Sequence, residues 1–173
     1  TIKFPENTIP AFKEALNADG ANSLEVDLSL TKDRKVVLWH DWDPNTPIAI
    51  VRQEKGEEGG KFKPYVFSLV KPRSQKKVSE LDFSEFVDNH GYKDKITNVK
   101  TNLKIPTLQD LIEWAAKQDK LKFLMLKLRV PVDEKYLIPV MVDEIRKAID
   151  HAHPSPRFQF VILVPHKESL KLV

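Results

Sequence analysis

Residues 23–42, SLEVDLSLTKDRKVVLWHDW, decide the reading of this chain. They form two strand-like runs around a short polar turn. Strand side chains alternate between faces, so Leu24, Val26, Leu28 and Leu30 share one side. Ser23, Glu25, Asp27 and Ser29 share the other. Two carboxylates spaced two residues apart on one face offer paired oxygen ligands to a hard divalent cation. The second run, residues 36–38, leads into His40, a side chain that moves a proton near neutral pH. An amphipathic strand whose acids face water accounts for the same alternation, and these residues alone leave both readings open.

The flanking segments add a resemblance. PENTIPAFKEAL (5–16), GANSLEVDLSLTKD (20–33), residues 36–41 and IPTLQDLIEWA (105–115) resemble, in order and approximate spacing, the glycerophosphodiester phosphodiesterase family. The resemblance implies a TIM-type (β/α)8 barrel that hydrolyses phosphodiesters with one divalent cation, calcium or magnesium, and a pair of histidines. On this chain Glu25 and Asp27 match the metal-binding carboxylates and His40 matches the second catalytic histidine. Glu6 matches an acid near metal and substrate, and Arg129 the basic position that contacts phosphate. Lys127 stands where the family places a third metal carboxylate, so an ammonium is expected to weaken or replace the cation and to pair with Glu25 or Asp27. The family's first histidine lies in a His-Arg-Gly motif a few residues before PENT, ahead of Thr1.

A complete barrel of this type needs roughly 250 residues, and this chain has 173. The expectation is therefore one barrel domain over 1–173, lacking the first strand and the C-terminal strands, with an insertion at 43–78. The substrate class implied is a small glycerophosphodiester, cleaved to glycerol phosphate and an alcohol. Two other readings stand beside it: a sphingomyelinase D-like phospholipase, which GANSLEVDLS also resembles, and a barrel that binds a phosphoryl ligand without catalysis, which Lys127 favours.

The chain carries 28 basic and 25 acidic residues, too balanced to argue for nucleic acid, and no basic stripe alternates with aromatics. There is no cysteine and no run of apolar residues long enough to span a bilayer. A secreted or cell-envelope location is expected ahead of a cytoplasmic one, and oligomeric state is open.

Periodicity predicts a helix over 5–19, capped by Asn7 or Thr8 and ending near Gly20. Residues 43–78, rich in Gly, Pro and charge, read as a long loop with short strands at 48–51 and 65–70. A short helix is expected at 81–87, a better one capped by Thr107, a strand at 123–130, a helix at 134–151, a strand at 158–164, and a last helix from Lys167. On the 123–130 strand, Met125, Lys127 and Arg129 share a face opposite four apolar residues. Two cations on such a face need acids opposite them, and Glu25 and Asp27 are the expected partners. Trp39 and Trp42 are expected in the core. His90, His151, His153 and His166 show no ligand spacing.

Overall fold

The computed structural model describes residues 3–17, 21–67, 75–152 and 158–173. The quoted stretch is a hairpin. β1 (Ser23–Leu30) and β2 (Val36–Leu38) run antiparallel with Leu28 opposite Leu38 and Leu30 opposite Val36. The turn closes by Thr31 N–H to Lys35 O at 3.0 Å, with Arg34 in the left-handed region (φ 63°).

Before the hairpin comes α1 (Ile9–Asn17). Thr8 caps it, its Oγ1 accepting from Ala11 N–H at 3.4 Å, which leaves the Asn7 side chain for another task. The expected end near Gly20 lies outside the described residues. After the hairpin follow α2 (Pro47–Lys55), β3 (Phe62–Val66), α3 (Phe83–Asn89), β4 (His90–Asp94) and α4 (Leu108–Ala115). β5 (Phe123–Leu128), α5 (Ile138–Ala152) and β6 (Gln159–Leu163) complete the order, and a 3-10 helix over Lys167–Leu172 follows.

The main sheet has the order β2-β1-β5-β6. β1, β5 and β6 are parallel, and β2 is the one antiparallel member, as its hairpin requires. The leucine-rich faces of β1 and β5 bury Leu24, Val26, Leu28, Leu124, Leu126 and Leu128 against α1, α4 and α5. The opposite face carries the charges.

Three expectations are corrected. Residues 48–51 lie in α2, not in a strand: Thr46 Oγ1 caps Ala49 N–H at 3.2 Å and Pro47 stands at the first helical position, where a proline's missing N–H costs nothing. The expected 65–70 strand is β3, which begins earlier; residues 68–70 lie outside the described residues. The helix foreseen over 134–151 starts at Ile138, after a 3-10 segment, which puts Pro139 in its first turn.

The expected loop also contributes to a second hydrophobic cluster. Val78, Leu81, Phe86, Tyr92 and Ile105 gather there with Val37 and Trp39 of the hairpin arm. Alternation explains the sharing. Val36 and Leu38 face the main core while Val37 and Trp39 face the second, so one arm serves both. Trp42 packs in the main core.

Candidate active site

The parallel pairing of β1 and β5 sets Asp27 beside Lys127 and Glu25 beside Met125, two positions that share the polar face. Lys127 Nζ donates to Glu25 Oε1 at 3.0 Å. Arg129 NH1 stands 3.7 Å from Asp27 Oδ1. Asn7, at φ 52°, grips Asp27 twice: its Nδ2 donates to Asp27 Oδ2 at 3.1 Å and its Oδ1 accepts from Asp27 N–H at 3.0 Å. Asparagine tolerates this left-handed backbone better than most residues, which is why it can turn back across the strand.

His40 is fixed through its main chain. Trp39 N–H donates to Asp27 O at 3.1 Å, and Ser29 Oγ donates to Trp39 O at 2.9 Å. Arg129 Nε donates to His40 O at 3.1 Å. The imidazole Nδ1 lies 2.6 Å from Asp41 Oδ1. With Nδ1–H donating to that carboxylate, Nε2 is left to exchange a proton. Asp41 is buried, and Arg52 Nε donates to its other oxygen, Oδ2, at 3.1 Å. The same guanidinium pairs with Glu6 and Glu57.

Burial pushes the Asp41 carboxyl up, but the His40 hydrogen bond and the Arg52 charge outweigh it, and Asp41 ends below the usual carboxylate range. At Glu6 burial prevails over Arg52 and His40 and leaves the carboxyl above its ordinary value. Beneath them Tyr92 is fully enclosed, its phenol pushed well up by burial and by the charges of Glu6, Asp41 and Asp27.

The fold therefore brings Glu6, Glu25, Asp27, His40, Lys127 and Arg129 to one side of the molecule. Glu6 arrives through Arg52 rather than by touching the strand acids. Asn7, Asp41 and Arg52 were not foreseen. Asp41 adjoins His40 in sequence, a signal that was available; Arg52 sits in a segment read as loop, 46 residues from Glu6, and gave none. His90 is buried in the second cluster, stacked on Phe86 with centroids 4.4 Å apart, and has no place at the site. His151 ends α5, His166 precedes the last 3-10 helix, and His153 lies outside the described residues.

A divalent cation bound by a carboxylate cage does not fit these donors. Glu25 is engaged by Lys127, Asp27 by Asn7 and Arg129, and Glu6 and Asp41 by Arg52. Among the described residues no three His, Cys, Asp or Glu side chains are placed to share an ion. Among the described residues the one buried carboxylate oxygen without a hydrogen bond, Asp27 Oδ1, already faces Arg129. What the arrangement offers instead is two cationic side chains and a histidine beside a row of acids, suited to holding a phosphate and moving a proton.

Known proteins resemble this chain in sequence and in fold. The Bacillus subtilis protein YqiK is 31% identical over 125 residues, covering 72% of this chain and 41% of its own length. Glycerophosphodiester phosphodiesterase domain-containing protein 4 of Macaca fascicularis is 32% identical over 130 residues, 73% of this chain and 20% of that protein. The chain thus spans less than half the length of either relative. A candidate glycerophosphoryl diester phosphodiesterase from Silicibacter pomeroyi superposes with a TM-score of 0.66 at 20% identity, over 97% of this chain and 55% of that one, a likeness of α/β fold. The profile of the glycerophosphoryl diester phosphodiesterase family matches residues 2–160, a span that includes every site residue described above. By that match, this chain belongs to the glycerophosphoryl diester phosphodiesterase family.

Proposed function

We infer that this chain carries the phosphoryl-binding and one proton-transferring part of a phosphoric diester hydrolase that acts on glycerophosphodiesters and releases glycerol phosphate and an alcohol. The observation that carries it is the meeting of His40 with the Asp27–Arg129–Lys127 face: one hydrogen bond, Arg129 Nε to His40 O at 3.1 Å, ties the proton carrier to the anion-binding strand. The reading includes a (β/α)8 barrel, supported by three parallel strands in order with α4 and α5 against their apolar face.

In this reading the phosphate oxygens face Lys127 and the Arg129 guanidinium, whose fork suits them. A hydroxyl oxygen forms the new bond to phosphorus while the leaving alkoxide takes the electrons of the old one. His40, held by Asp41 at Nδ1, removes the attacking hydroxyl's proton or supplies the leaving alkoxide's through Nε2; a second group serves the other end. Arg52 keeps Asp41 ionised and aimed. No step here runs through a metal ion.

The test is release of glycerol phosphate from a glycerophosphodiester by the chain and by His40→Asn, which is expected to lower turnover about 10²- to 10⁴-fold. Turnover undiminished by that substitution would exclude His40. A second reading, a barrel that binds a phosphoryl ligand without cleaving it, is favoured by Lys127 on Glu25. It would be chosen over hydrolysis if the folded chain binds glycerol phosphate, loses that binding in Arg129→Met, and shows no turnover.

A further inference from the structure

The two-stranded sheet of β3 and β4 has two unlike faces. Its register sets Lys63 opposite Lys93, Tyr65 opposite Gly91 and Pro64 opposite Tyr92. By alternation Pro64, Tyr92, Val66 and His90 share the face that lines the second hydrophobic cluster. Lys63, Tyr65 and Lys93 share the other. Lys95 N–H donates to Lys61 O at 3.0 Å, which extends the same row outward by one more lysine pair.

A bridge between Lys93 and Lys100 adds a fifth lysine, whose stem runs over Gly91 where a β-carbon would lie 3.1 Å from its Cε. The ammonium groups of Lys93 and Lys100 stand 4.0 and 5.4 Å from the Tyr65 ring centroid. Five lysines thus share one face. The two acids beside them are engaged: Glu57 by Arg52, and Asp94 by the amides of Ile96 and Thr97 and by Lys61.

This face concentrates the charge of the chain. Residues 61–66 and 91–104 hold six lysines and one acid, so the rest of the chain has two more acids than bases. At one end of the cationic row the turn after β4, with Asn98 at φ 57°, lifts two aliphatic side chains into solvent: Ile96 is 88% exposed and Val99 64%. A nucleic-acid site would want open aromatic faces for stacking, and the aromatic at the centre of this lysine row, Tyr65, is covered by ammonium groups.

We propose that the β3–β4 face docks this protein on an anionic lipid bilayer surface, with the lysines facing the headgroups and the Ile96–Val99 turn inserted among them. The lysines lie on the side of the β3–β4 sheet opposite Tyr92 and the active-site charges around it, so the docking does not depend on which phosphodiester is cleaved.

The experiment is co-sedimentation of the chain with vesicles of phosphatidylcholine alone, and of phosphatidylcholine containing about a third phosphatidylserine. Binding is expected only to the second and should fall as salt is raised. Replacing Lys63, Lys93 and Lys100 by Gln should lower the partition about fivefold per lysine, on the order of a hundredfold together. Ile96→Asp should weaken what binding survives at high salt. A tryptophan circular-dichroism spectrum unchanged in these surface variants keeps loss of fold out of the comparison. Equal binding to both vesicle types, no effect of the triple substitution, or capture of a duplex oligonucleotide without capture of vesicles would each overturn the proposal.

Discussion

Lys127 is the side chain that most changes what this site can hold. Its ammonium lies on Glu25 at 3.0 Å, where a carboxylate would have turned the same row into a cation cage. Unit charges in contact interact by about 4 kcal/mol at a protein-surface dielectric, and solvent at this half-exposed pair lowers that to about 1–2 kcal/mol. Lys127→Glu is therefore expected to raise calcium affinity roughly 5- to 30-fold, read by calorimetry; unchanged affinity would mean that the acids of β1 are not the ligands. Arg52 is held by three carboxylates, two of them at the site, and Arg52→Met leaves the buried Asp41 and the half-buried Glu6 without their cation. A loss of about 3–5 kcal/mol in urea unfolding is expected. His90 gives a pH signature remote from the chemistry. Burial holds its imidazole down from the usual 6.5 to about 4, so the unfolded chain binds the extra proton between those values. Stability is complete above 6.5 and falls as pH drops toward 4, by about 3 kcal/mol for this group. Unfolding free energies at pH 7 and 4.5 should show that slope in the native protein and a shallower one in His90→Phe. The strand acids, His40 and Arg129 could be read from sequence because alternation and a family pattern mark them. Asp41's partner could not, because a lone arginine in a charged stretch has no periodicity until the helix that carries it is seen.

At the scale of elements, α2 shows why part of the chain was misread. Its signals, Thr46 as cap and Pro47 at the start, were present, yet they sit among glycines and charges, and the helix turns only Ala49 and Arg52 inward. A helix that buries so little leaves a weak apolar stripe. β4 is hidden for a like reason: in His90-Gly91-Tyr92-Lys93-Asp94 the inner face mixes His90 and Asp94 with Tyr92 while the outer holds Gly91 and Lys93, so no apolar alternation marks it. The hairpin and the Leu-rich β5, with one face fully apolar, were legible throughout. What ends α2 is testable. Gly56 has φ 64°, and a β-carbon there would come within 2.6 Å of Phe62 O as well as meeting Lys95. Gly56→Ala is expected to cost at least about 2 kcal/mol, measured by urea denaturation, and to displace Arg52. A neutral result would show that the α2–β3 junction yields freely.

Over the whole molecule, two hydrophobic clusters are joined by the hairpin arm that ends in His40. Trp39 contacts Phe86, His90 and Tyr92 with centroids 5.4–6.0 Å apart, while Leu38 beside it belongs to the main core. The shared arm predicts one cooperative transition, seen alike by tryptophan fluorescence and far-ultraviolet circular dichroism. Trp39→Ala should cost about 3–5 kcal/mol, and separate transitions in the native protein would show that the clusters are uncoupled. The pairing of β1 with β5 has a consequence in time. Glu25 and Lys127 are 102 residues apart in the chain. A hairpin closes within microseconds, but at ribosomal rates of about 5–20 residues per second a partner that distant takes about 5–20 seconds to follow. Through that interval the edge of β1 that β5 will occupy is bare on the nascent chain, and α2 to α4 are synthesised beside it. The acids of β1 are therefore made first and meet their cations late, so formation of the Lys127–Glu25 pair marks the moment at which a newly made chain joins its hairpin to the later strands.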